Sequence, residues 1–272
     1  MLPTPNVPTL VPGPSRAVQF VVELVGPRTV PTAQAGELLR PDLRAALGQP
    51  ELWAMRPADT AWHPMRALMH GSYDSIALAW DIVTPVGSVS PASATHLIGV
   101  AEKFANGLGR RAIPLTSPAD LPKEIHRIKT AQESLDAGLA ILLIAPHPVA
   151  AAEFGRELEA LGLSPLDGEW GWMAPNHREP LFTATPFEVP MTDGLTLGFR
   201  LARCPDPNVA IEGLFHVVDA LGRTGLAAFD EDRRPLIPAT RETLRQGARA
   251  ATEALTTVGF APGSWAALKA FV

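Results

Sequence analysis

Residues 193–202 read DGLTLGFRLA, and residues 75–83 read SIALAWDIV. In the first, Leu195, Leu197, Phe199 and Leu201 alternate with Thr196, Gly198 and Arg200; in the second, Ile76, Leu78, Trp80 and Ile82 alternate with Ala77, Ala79 and Asp81. Alternation at period two marks a strand that turns one face to a core. A helix start follows each. Ser90-Pro91 and Asp206-Pro207 put a capping side chain just ahead of a proline at the first helical position. Behind them, Leu97, Val100, Ala101, Phe104 and Leu108 form one helical stripe, and Leu214, Val217, Val218 and Leu221 form the other. Setting Ile76 on Leu195 gives an offset of 119 residues, and Leu97 on Leu214 one of 117. A register kept through strand and helix implies an internal duplication, with a period of about 120 residues that suits a domain rather than a solenoid repeat.

The same order extends outward. VQFVVELV at Val18–Val25 reads as a strand, followed by a helix over residues 32–47, broken at Pro41 and stopped by Gly48, and then by the short strand LWAM. In the second copy LAILLIA, Leu139–Ala145, is the strand, and residues 148–161 form a helix that Gly162 ends. Trp170–Met173 then echoes Trp53–Met55. A helix near 119–135 closes the first copy, and one carrying Leu244, Ala248, Ala251 and Leu255 closes the second. The expected fold is α+β: two tandem modules over residues 16–136 and 139–257, each an antiparallel sheet with helices packed on one face. A flexible proline-rich arm is expected over 1–15 and an amphipathic tail over 258–272, with Phe260, Trp265, Leu268 and Phe271 at helical spacing.

Composition narrows the function. Hydrophobic residues make up 46% of the 272 and charged ones 19%, enough apolar material for packed cores. The net charge of −5, without a basic stripe interleaved with aromatics, argues against a nucleic-acid partner. A single cysteine, Cys204, rules out an intramolecular disulfide framework and points to a reducing, cytoplasmic setting. Leu139–Ala145, the longest apolar run, falls far short of the ~20 residues a spanning helix needs, and no signal peptide or membrane anchor is read at the start.

The second copy is similar to the C-terminal domain of the cell-division protein ZipA. The resemblance runs from AILLIAPHPVAAAEFGRELEALGL through PLFTATPFEVPMTDGLTLGFRLA to DEDRRPLIPATRETLRQ, and rests mostly on PLFTATP with its TDGLTLGF lead-in and on the hairpin FDEDRRPLIP. It implies two tandem ZipA-like modules, the first matching only through its kinship with the second. It also implies a shallow apolar groove on the sheet, which in ZipA receives the C-terminal peptide of the tubulin-like protein FtsZ. Matching the family's groove strands points to Trp170, Trp172 and Phe187, joined by Ile141 and Leu143 from a strand that is apolar on both faces. Gly198 and Arg200 depart from the bulkier apolar residues of the family, and Gln19 and Glu23 make the corresponding strand of the first copy more polar.

No cofactor and no metal is implied. Asp230, Glu231 and Asp232 lack the spacing of an EF-hand loop and read as a charged hairpin, and the seven histidines show no ligand spacing. Neither G-x-S-x-G, a P-loop nor a dinucleotide fingerprint is present, so the expectation is a non-enzymatic peptide-binding protein. The alternatives are a scaffold or oligomer whose sheet faces pack on each other, and an enzyme using an inter-domain cleft with groups such as His147 and His177.

Overall fold

The computed structural model describes residues 1–65 and 70–272. It shows an α+β protein of helices and antiparallel sheets, divided into two compact units. One comprises residues 11–132 (with Val272), and the other joins residues 1–10 to residues 133–271. Among the described residues no helix is long and apolar enough to cross a membrane.

The N-terminal unit is built on β1 (Gln19–Val25), β2 (Glu51–Met55), β3 (Ser75–Asp81), α1 (Pro91–Gly107), β4 (Arg111–Pro114) and α2 (Leu121–Leu135). Its sheet runs His63–Pro64, β2, β3, β1, β4. The segment expected as one helix over 32–47 is broken into Thr32–Ala35, a 3-10 turn Gly36–Leu39 and Pro41–Ala46. The proline supplies no N–H and forces Arg40 into extended backbone, φ −63° and ψ 134°. Ser90 caps α1 as expected, its hydroxyl accepting from the Ser93 amide at 3.0 Å.

The C-terminal unit contains β5 (Gly138–Ala150), α3 (Ala151–Ala160), β6 (Trp170–Met173), β7 (Pro180–Pro186), β8 (Met191–Arg200), α4 (Pro207–Gly222), β9 (Ala227–Asp230), α5 (Pro238–Thr257) and α6 (Trp265–Ala270). Its sheet runs Ser164–Pro165, β6, β7, β8, β5, β9. Asp206 caps α4, accepting from the amides of Asn208 and Val209 at 2.9 and 3.1 Å. The strand expected to stop at Ala145 continues, with an irregularity between Ile144 and Val149, so the helix begins at Ala151 rather than Pro148. The Ala151 amide donates to the Pro190 carbonyl at 2.9 Å, which ties the strand end to the neighbouring hairpin.

Both units place their first strand between the same two neighbours. β1 lies between β3 and β4, and β5 between β8 and β9; α1 and α4 make the connections, and α2 and α5 follow. The tryptophan strands, however, take different places. β2 abuts β3 directly, whereas β7 separates β6 from β8, so Trp53–Met55 and Trp170–Met173 are not topological equivalents.

Both ends of the chain differ from expectation. The arm is not free, because Leu2 is buried and its amide donates to the Leu161 carbonyl at 2.8 Å. Pro5 is also buried, and the Pro8 carbonyl sits 2.7 Å from His177 Nε2. The tail is integral to the C-terminal unit: Phe260 and Phe271 are buried edge to face at 5.7 Å, and the Gly263 amide donates to Ala202 O at 3.0 Å. The boundary falls just before Glu133 because Asp136 and Ala137 already belong to the C-terminal sheet. Asp136 pairs with Arg200 and the Ala137 carbonyl accepts from the Leu201 amide.

Candidate functional site: the open face of the C-terminal sheet

Pairing register assigns every residue of this sheet to a face. Leu143 lies opposite Leu195 and Ile141 opposite Leu197; Ala184 lies opposite both Leu197 and Trp170, and Phe182 opposite Trp172. Directly opposed residues share a face. That face is covered by helices. A Cβ on Gly213 of α4 would stand 2.3 Å from Trp172 Cζ3, and one on Gly155 of α3 would stand 2.4 Å from Trp170 Cζ2. Glycine is what lets both helices lie directly on the indoles.

Four of the five residues predicted for the groove therefore face the core. Ile141 and Leu143 are fully buried, and Trp172 is 4% exposed with its ring 5.6 Å from that of Phe182. Trp170 is half-buried on α3, its Nε1 donating to Glu159 Oε1 at 3.3 Å. The reason is parity: in a strand apolar on both sides, the odd-numbered residues oppose the inward Leu195 and Leu197, and the even-numbered ones point away.

Phe187 alone of the predicted set is on the open face. It is 39% exposed and lies over Gly194, where a Cβ would meet Phe187 Cε2 at 2.5 Å and Leu143 O at 2.3 Å. The Phe187 amide donates to Gly194 O at 3.1 Å, and the buried Thr192 hydroxyl donates to the same carbonyl at 2.6 Å. The ring is thus pinned flat to the sheet. Beside it, Thr185, Thr196, Leu142 and Phe229 form one row across four strands, all half-buried, with half-buried Ile144 and exposed Ala227 in the next. Leu142, Ile144 and Phe229 are the apolar residues that alternation in β5 and β9 left unassigned. Exposed Val189 and Met191 extend the apolar end.

The opposite end of this face is polar. Thr183, Gly198 and Ala140 continue one row, and the small side chains leave a cleft of about 450 Å³. Glu169, Glu179, Glu231, Arg200 and Arg203 border it. Arg203 binds Glu179 through Nη2 to Oε1 at 2.6 Å and donates to Phe271 O at 2.8 Å. Arg200 pairs with Asp136 at 2.7 Å. Glu169 accepts from the Thr185 hydroxyl at 2.9 Å, and Glu231 accepts from the Ala140 amide at 2.7 Å.

The N-terminal sheet offers no comparable surface. Val21, Trp53, Ala77 and Ala79 share the face away from α1 and are all buried, and Gln19 is buried with its amide on Glu51 and Asp81. Cys204 is buried, and burial pushes its thiol pKa well up, so it is no nucleophile. Among the described residues no group of three or more His, Cys, Asp or Glu is placed to hold a metal ion. His177 is engaged by Pro8, and His147 sits exposed at the end of β5. No protein-family model matches the chain, and no curated protein matches it.

Proposed function

We propose that this chain is a non-enzymatic peptide-binding protein whose ligand lies on the open face of the C-terminal sheet. The observation that carries the reading is the half-exposed apolar surface of Phe187, Leu142, Ile144 and Phe229 on a sheet whose other face is filled by helices. An antiparallel sheet facing water normally turns polar residues outward, and apolar surface retained there marks an interaction site. Phe187 is a rigid anchor, and the neighbouring threonines supply hydroxyls at its rim.

The resemblance of the second copy to the ZipA C-terminal domain supplies the partner: the C-terminal peptide of FtsZ, met in the cytoplasm during cell division. The shared placement of β1 and β5 supports descent of the two units from one module, with the N-terminal copy no longer keeping an open face. The test is fluorescence anisotropy of a labelled peptide from the FtsZ C-terminus of the same organism, titrated with the purified chain. Saturable binding in the micromolar range is the expected result, an affinity that a small preformed groove supplies. An absence of binding at millimolar protein rejects FtsZ as the partner.

A further inference from the structure

We infer that the polar end of the open face is a subsite for a cationic side chain, so that the bound peptide carries an arginine or lysine beside its apolar anchors. This rests on the open face being the ligand surface. Both arginines bordering the cleft are already committed, Arg200 to Asp136 and Arg203 to Glu179. Glu169 and Glu231 are not: each accepts one hydrogen bond from a neutral donor, and among the described residues neither has an arginine, lysine or histidine partner. Two uncompensated carboxylates thus face one cleft of about 450 Å³, floored by Thr183, Gly198 and Ala140.

Small floor residues leave room for a long side chain to lie along the sheet with its head between the two banks. Thr183 and Ala140 are two strand spacings apart, about 10 Å. A guanidinium or ammonium resting on Gly198 therefore sits between the carboxylates, in a site partly shielded from solvent, where charge complementarity sets orientation and selects the ligand. The apolar end then fixes where the peptide lies, and the acidic end which way it runs.

The probe is N-acetyl-arginine amide, followed by the backbone amide resonances of the full chain. The matching citrulline derivative, which keeps the shape and loses the charge, is the control. Saturable shifts at Ala140, Thr183 and Gly198 are expected with arginine, and weaker binding by at least about fivefold with citrulline. The double variant Glu169→Gln and Glu231→Gln retains both hydrogen-bond acceptors and should reduce the arginine response to the citrulline level. Equal responses to the two probes, or none at these three amides, overturn the cation subsite. An intact arginine response with no FtsZ peptide binding keeps the subsite and rejects only that partner.

Discussion

Two aromatic residues fifteen positions apart in one sheet have opposite fates. Trp172 is packed between Phe182 and α4 with no room to spare, so Trp172→Ala should cost about 3–5 kcal/mol of stability, measured by urea unfolding. Phe187 lies on the surface, and Phe187→Ala should leave stability nearly unchanged while weakening the peptide by ~1–2 kcal/mol in the anisotropy titration. The converse pattern would put the site on the helix side. The sequence showed a strand apolar on both faces but not which face is covered, since Ile141 and Leu143 differ from Leu142 and Ile144 only in parity. The inward set of β8 was legible, and pairing register was the missing step. Asp230 makes a prediction of a different kind. Burial works to raise its carboxyl pKa, but the backbone and side-chain hydrogen bonds of Arg234 outweigh that and hold it below the ordinary value. With a depressed folded pKa, its contribution is complete above the unfolded carboxylate range and lost as pH falls through the folded value. Asp230→Asn should therefore lower the melting temperature at pH 7 and narrow the gap to wild type below about pH 4. A gap independent of pH contradicts this.

The helices are held on the sheet by absent side chains as much as by present ones. Gly213→Ala is a favourable change for an isolated helix, by about 1 kcal/mol, yet here the methyl would enter the Trp172 ring. Overpacking of this kind costs ~1–3 kcal/mol, so the net effect should be a lower melting temperature by calorimetry, and an increase would contradict the packing described. At this scale most of the molecule was readable. The alternating strands, the proline-led helices and their Ser90 and Asp206 caps all follow from local chemistry. What escaped was non-local. The end of β5 stays in the sheet because Val149 and Ala150 pair with Thr192 and Met191, and no local signal near Pro148 reports that pairing. The place of β6, one strand farther from β8 than β2 is from β3, is likewise invisible in the WGWM motif.

For the molecule as a whole, the ends of the chain serve as structure. Residues 1–10 strap the C-terminal unit through Leu2 and Pro8, a role their proline-rich composition concealed, because composition reports local flexibility and not a docking partner. Deleting them should destabilise the unit by about 2 kcal/mol, the burial of a leucine side chain, as a lower urea midpoint. An unchanged midpoint would mean that the strap adds nothing to stability. The division into two units was legible from the repeated order of elements, and its boundary was off by a few residues because Asp136 and Ala137 are claimed by the second sheet. The central claim is that the open face of that sheet is where the protein meets its ligand. It is tested most directly by recording backbone amide shifts of the full chain as the FtsZ C-terminal peptide is added. The account predicts that the largest shifts cluster at Leu142, Ile144, Phe187, Thr196 and Phe229. Saturable binding with its largest shifts on α3, α4 or the N-terminal unit would contradict it.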